Sequence, residues 1–287
     1  MKRILLQPAY VLHRRAYREN SFLVDLFTRE YGCLTVIAKG VRDKRSALQG
    51  LLQPFNPLLI SFAGKGELMS LSHAEAAGSV AYLQGDCLFA GFYLNELLMC
   101  LLQKWDPHTA LYLSYEATLR AFHAAPPLMT TQPSGCEAGL DDHLQEKAQH
   151  TQKYVSIFPA NDRSKMPADG RLRTKPEHLQ KILRSFEKYL LDELGYGIFP
   201  RSDVSLHAMF IPDNYYRFVP EQGFVTSELE HHENQSGNVF SGRSLLAFAK
   251  EDWQDEASLA DARRLIRFIL APLLGARPVH SRRLFIK

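Results

Sequence analysis

Cysteine is scarce and dispersed. The chain has four cysteines in 287 residues, Cys33, Cys87, Cys100 and Cys136, and no two form a CxxC pair. Wide, irregular spacing excludes the disulfide framework that holds small secreted domains together. Read as packing residues, these cysteines are small buried hydrophobes. Long apolar runs are also missing, since no stretch reaches the roughly 18 residues needed to cross a bilayer. The start, Met1-Lys2-Arg3-Ile4-Leu5-Leu6-Gln7-Pro8, opens like a signal peptide, but Gln7 and Pro8 interrupt the apolar segment. The expectation is a cytoplasmic protein with no membrane partner. Motifs of catalysis are missing too. There is no GxGxxG or GxxxxGK[ST] to cradle a phosphate, no GxSxG, no HExxH, and no DxD-type pair of metal ligands at the end of a strand. We therefore expect no enzyme, no catalytic residue, no cofactor and no metal.

What is present is an ordinary globular composition with an uneven distribution of charge. Hydrophobic residues make up 46% and charged residues 23%, which excludes a disordered or collagen-like chain. The length suggests two domains, each able to bury a core. The formal net charge is only +3, but the two ends are basic. Residues 1–80 carry 11 basic and 6 acidic side chains, and residues 261–287 carry 7 basic and 1 acidic. Residues 200–260 hold 4 basic and 10 acidic side chains. Two basic ends point to an anionic partner.

The first 80 residues read as strands. Residues 10–15, 21–28, 33–38, 58–62 and 68–72 are short β-prone runs, and Arg29-Glu30-Tyr31-Gly32 forms a turn between the second and third. Five short strands suit an OB-fold barrel, an SH3-like barrel or a plain meander. From residue 82 the period changes. Residues 86–103 are apolar nearly all round and read as a buried helix, despite Asn95 and Glu96. Asp106-Pro107 reads as the capped start of a second helix ending near Phe122. Residues 125–173 are polar and proline-punctuated, and read as a loop or insertion. Thr174 and Glu177 form a capping box before the stripe Leu179, Ile182, Leu183, Phe186 and Leu190, which Gly195 ends. Residues 196–240 read as loop with one small hairpin, and residues 241–250 and 258–271 as two last helices. The fold class expected is α+β in two domains, a five-stranded barrel over 1–80 and a mainly helical domain over 81–287 interrupted at about 125–173.

Binding is the stronger chemical signal. His13, Arg14, Arg15 and Arg18 precede the first hairpin, and Lys39, Arg42, Lys44 and Arg45 fill the loop after the third strand. With Tyr10, Tyr17 and Tyr31 nearby, these residues have the means to bind a single strand, cations on the phosphates and rings on unpaired bases. The alternative is a solvated strand edge whose charges oppose aggregation. Arg263, Arg264 and Arg267, with Arg282 and Arg283 beyond them, form a second cationic set for a partner or for DNA. Two metal clusters are conceivable, Cys136 with His143, Glu146 and His150, and His207 with His231 and His232. The first reads better as a solvated insertion, and adjacent histidines on a strand point to opposite faces.

The ordered set of motifs resembles the bacterial RecO recombination-mediator family. It comprises Ala9-Tyr10-Val11-Leu12 through Arg18-Glu19-Asn20-Ser21, Leu26-Phe27-Thr28-Arg29-Glu30-Tyr31-Gly32, and Lys39-Gly40-Val41-Arg42. Leu51-Leu52-Gln53-Pro54-Phe55, Phe92-Tyr93-Leu94-Asn95-Glu96-Leu97-Leu98 and Asp106-Pro107-His108 follow. Phe186-Glu187-Lys188-Tyr189-Leu190-Leu191, Leu194-Gly195-Tyr196 and Ser281-Arg282-Arg283-Leu284 complete it. The resemblance implies an N-terminal OB-fold and a helical C-terminal domain. It implies binding of single- and double-stranded DNA, annealing of complementary strands, contact with the acidic C-terminal tail of single-strand-binding protein, and work with RecR in loading RecA, in the RecF pathway. Many family members carry a CxxC…CxxC zinc site after the LGY-type motif. Here residues 196–242 hold no cysteine, so no zinc is expected. A metal-dependent nuclease and an RNA-binding OB-fold protein are the competing readings. A nuclease would need metal and cut, and an RNA binder would discriminate through the 2′-hydroxyl.

Overall fold

The computed structural model describes residues 2–42, 46–66, 68–78, 82–125, 176–200, 203–220, 222–227, 237–275, 279 and 281. Five strands open the chain: β1 (Lys2–Tyr17), β2 (Ser21–Thr28), β3 (Gly32–Ala38), β4 (Pro57–Gly64) and β5 (Leu68–Ala76), with a short helix α1 (Leu48–Leu51) between β3 and β4. They close into a barrel in the order β1-β2-β3-β5-β4, with β5 parallel to β3 and β4 returning to β1. A meander would pair only sequence neighbours, so the crossover from β4 past β5 to β3 identifies an OB-like barrel.

β1 is longer than its sequence pattern suggests because it serves two partners. Residues 2–10 pair with β4 and residues 9–17 with β2, and bulges at 5–6 and at Leu12 bend it between them. Alternation then sorts the side chains. Val11, Val24, Leu26, Leu34, Val36, Leu58, Ile60 and Phe62 fill the barrel. Tyr10, Leu12, Phe27 and Cys33 face outward and join the core of the helical region.

That region holds α2 (Gly85–Leu101), α3 (Thr109–Ala124), α4 (Pro176–Glu193), α5 (Asp203–Met209), a sheet of order β7-β6-β8 built from β6 (Tyr215–Val219), β7 (Gly223–Ser227) and β8 (Val239–Ser241), α6 (Gly242–Lys250) and α7 (Glu256–Leu274). No described helix is long and apolar enough to cross a membrane. α2 is buried on nearly every side, as its composition requires. Its one fully buried amide explains itself. The bulge at Leu12 frees a backbone carbonyl, and Asn95 donates to it at 2.8 Å while accepting the Tyr115 hydroxyl at 2.6 Å. The next residue, Glu96, accepts the backbone N–H of Ser281 at 2.8 Å and also its hydroxyl. Consecutive residues of α2 thus hold the barrel and the C-terminal segment.

The connection between α2 and α3 corrects one sequence reading. Asp106 and Pro107 do not start the helix, which begins at Thr109 after His108. Instead the connection locks onto the barrel. Trp105 donates its backbone N–H to Cys33 O at 2.9 Å and lays its ring 6.2 Å from Phe62 in the barrel core, where Tyr31 also meets Phe62 edge-on at 6.3 Å. α7 runs through Pro272, ends at Leu274 and is capped by Gly275, close to the end that Pro272 and Gly275 mark in the sequence. Residues 196–240 are more regular than expected, with α5 and a three-stranded sheet where one hairpin was foreseen. Gly195 does end α4, with φ +81°. The polar stretch 125–173 and Thr174 lie outside the described residues, apart from Ala125.

Candidate nucleic-acid interface

The register of β1, β2 and β3 divides their outer face into rows. Tyr10 and Phe27 lie opposite one another, as do Phe27 and Cys33, and this end is covered by α3 through Tyr112 and Tyr115. The next row is His13, Asp25, Thr35 and, across the parallel pair, Leu68. Beyond it lie Arg15, Leu23, Ile37 and Ser70, and then Tyr17 with Ser21. Among the described residues these outer rows stay open, with Leu68 45% exposed and Leu23 and Ile37 half-buried. The result is an apolar strip flanked by cations.

The cations foreseen from sequence separate into distinct roles. Arg15 is half-exposed on the outer face. Arg18 sits in the β1–β2 turn at φ +52°, with its guanidinium 5.2 Å from the Tyr17 ring centre. Arg42 clips the same turn, its N–H donating to Asn20 O at 3.3 Å and its side chain to Arg18 O at 2.9 Å. Lys39 is exposed just past the end of β3. These four therefore gather at one rim. Arg14 does not join them. It lies opposite Val24, on the interior side, rests on Phe22 at 5.1 Å, and donates to Gln49 O at 2.9 Å and Leu52 O at 3.3 Å. Its work is to tie the barrel to α1. Lys44 and Arg45 lie outside the described residues.

Of the three tyrosines proposed for stacking, only Tyr17 stands at this rim. Tyr10 is 3% exposed, with its hydroxyl donating to Glu116 at 3.2 Å. Burial, then the Glu116 charge and its hydrogen bond, push the Tyr10 phenol up. Tyr31 packs on Phe62.

The sequence reading missed Leu23, Ile37, Leu68 and Asp25. Only strand register shows that the first three form one strip. Asp25 carried a signal, a lone charge in the middle of the apolar run SFLVDLFT. Its Oδ1 accepts the Thr35 hydroxyl at 2.6 Å and its Oδ2 the Arg15 guanidinium at 3.0 Å, with His13 Nδ1 at 3.7 Å. Burial alone would raise this carboxyl, but the neighbouring His13 ring, the Thr35 hydrogen bond and the Arg15 charge hold it below the usual range.

The C-terminal cationic set also divides. Arg264 is absorbed by the fold, stacked 4.6 Å over Phe240 and paired with Asp261 at 3.0 Å. Arg263 and Arg267 are exposed on α7. Partial burial, and after it the Arg267 and Arg184 charges, draw the Arg263 guanidinium down. Arg184 itself is buried in a 2.8 Å ion pair with Glu187, which also accepts the Tyr93 hydroxyl at 2.5 Å. Arg282 and Arg283 lie outside the described residues, directly after anchored Ser281.

Among the described residues no three His, Cys, Asp or Glu side chains are placed to share a metal ion. His207 faces Lys250 at 3.0 Å. Cys136, His143, Glu146, His150, His231 and His232 lie outside the described residues.

A closed five-stranded barrel with one uncovered, cation-rimmed strand face, backed by a helical region, defines an OB-like barrel protein of α+β class. Residues 1–80 match the family described as Recombination protein O N terminal. Over nearly the whole chain the protein is similar to the DNA repair protein RecO of Coxiella burnetii, 36% identical over 283 residues, covering 99% of this chain and 98% of the relative. It is 37% identical over 280 residues to the DNA repair protein RecO of Nitrosococcus oceani, covering 98% and 92% of the two chains. To that of Dechloromonas aromatica it is 35% identical over 279 residues, covering 97% and 94%. The chain belongs to the RecO family of DNA repair proteins.

Proposed function

We propose that this RecO-family chain is a non-enzymatic recombination mediator. It binds single- and double-stranded DNA, anneals complementary strands and, with RecR, helps load RecA onto strands coated by single-strand-binding protein. The observation that carries the DNA reading is the uncovered strip Leu23, Ile37 and Leu68 with Tyr17, Arg15, Arg18, Lys39 and Arg42 around it. Apolar and aromatic surface takes unpaired bases, and the cations track the phosphates. Exposed Arg263 and Arg267, together with Arg282 and Arg283, supply cations for the acidic tail of single-strand-binding protein.

The deciding experiment is annealing of complementary oligonucleotides coated by single-strand-binding protein, with and without EDTA. The expected result is faster annealing, unaffected by EDTA, with every strand at full length. Metal-dependent shortening of the strands would overturn the proposal in favour of a nuclease. Preference for RNA over DNA of the same sequence would favour an RNA binder.

A further inference from the structure

A carboxylate in the middle of a surface read as phosphate-binding needs a reason. Asp25 lies in the row of Leu68, the row of the strip next to the helix-covered end of the β1–β3 face, and only 17% of its side chain is exposed. Its two oxygens are engaged by different partners, Thr35 on one side and Arg15 on the other. Thr35 is itself buried, so the carboxylate is fixed by the barrel and not by its solvent-facing partner. Arg15 is 53% exposed, so the Arg15–Asp25 pair meets whatever lies on the strip.

We infer that Asp25 is a specificity-determining residue that makes this face prefer unpaired strands over duplex. The inference rests on reading the face as the DNA site. The carboxylate offsets Arg15, so the face has one fewer cation to spend on phosphates. A single strand recovers the difference by laying bases on Leu23, Ile37, Leu68 and Tyr17. A duplex keeps its bases stacked and offers this face mainly phosphates, at higher charge density. Counterion release per phosphate contact is also larger for duplex, with a slope of about 0.9 against about 0.7 for single strands. Removing the negative charge therefore helps duplex more.

The test is Asp25→Asn, which keeps an acceptor oxygen for Thr35 and removes the charge. Fluorescence anisotropy with a single-stranded oligonucleotide and with its duplex, over a salt series, gives both affinities. An exposed ion pair is worth up to about fivefold in an equilibrium constant. Duplex affinity should rise by about two- to fivefold, single-strand affinity by less, and the preference for single strands should shrink. On an Arg15→Ala background the gain should be largely lost. If the asparagine variant fails to fold by circular dichroism, Asp25→Ser, also neutral, takes its place. Equal tightening for both DNAs, or no tightening while Arg15→Ala and Lys39→Ala weaken binding, would overturn the role of Asp25 and leave the face as the DNA site. No effect of any of these substitutions, on either DNA, would overturn the DNA reading of the face itself.

Discussion

Gly32 is the residue on which the two halves of the molecule meet. It sits at φ +62° at the start of β3, and a Cβ added there would lie 1.8 Å from the carbonyl oxygen of Asp106. Glycine is required twice, for its conformation and for the close approach of the α2–α3 connection. Adding a methyl group forces either the β2–β3 turn or the connection to move. Gly32→Ala should cost about 2–4 kcal/mol, the left-handed penalty plus the overlap, measured as a shift of the urea midpoint. A midpoint within error of the parent would show that the connection yields freely. Asn95 is a second such residue. In an apolar helix it looks misplaced, until the Leu12 carbonyl and the Tyr115 hydroxyl are seen as its partners. The same scale explains an inert thiol. Burial, with the Asp25 charge behind it, pushes Cys33 up to about 12, so thiol reagents at neutral pH should label half-buried Cys100 ahead of Cys33.

Among the elements, the small sheet and its flanking helices are held by aromatic rings. Phe210 lies within 6.0 Å of the rings of Phe199, Tyr216 and Phe224, and Phe199 adds Phe248 at 5.2 Å. Phe218 links the sheet to Phe268 on α7. This is the part of the chain where many family members place four cysteines, and here edge-to-face ring packing supplies the core. Two expectations follow from this ring packing and from the lack of cysteine in residues 196–242. Phe210→Ala should lower stability by about 3–5 kcal/mol. EDTA should leave the melting temperature of the parent protein unchanged, whereas a domain held by zinc would melt. A drop in melting temperature on chelation, with stoichiometric zinc in the purified protein, would contradict this account.

At the scale of the whole molecule, charge is sorted by the fold and not only by the sequence. Arg14 and Arg264 are spent on structure, while Arg15, Arg18, Lys39 and Arg42 share one rim. DNA binding should accordingly fall steeply with salt. Each phosphate contact contributes about 0.7–0.9 to the slope of log K against log salt. Lys39→Ala with Arg42→Ala should flatten that slope by up to about 1.4 for single strands and about 1.8 for duplex. Extending the substitutions to Lys44 and Arg45 tests the rest of the loop. An unchanged slope would place the DNA site elsewhere on the molecule.

The amino-acid sequence by itself determined the strand-then-helix order, because a change from a two-residue to a 3.6-residue period is a local property. It also determined the family, because an ordered set of motifs survives without any knowledge of contacts. It marked α2 as a core helix and Gly195 as a stop. Tertiary structure decided what each charged or aromatic side chain is for. Arg14 and Arg15 are neighbours in sequence, but the pleat sends one to the α1 carbonyls and the other to the outer face. Tyr10 and Tyr17 look alike in the chain, and the docking of α3 over one end of the face separates a buried ring from a half-buried one at the rim. Leu23, Ile37 and Leu68 come from three strands, the last brought in by a parallel crossover that no local pattern encodes. Periodicity is set within one segment, whereas a binding face is set by register between segments, and register belongs to the folded chain.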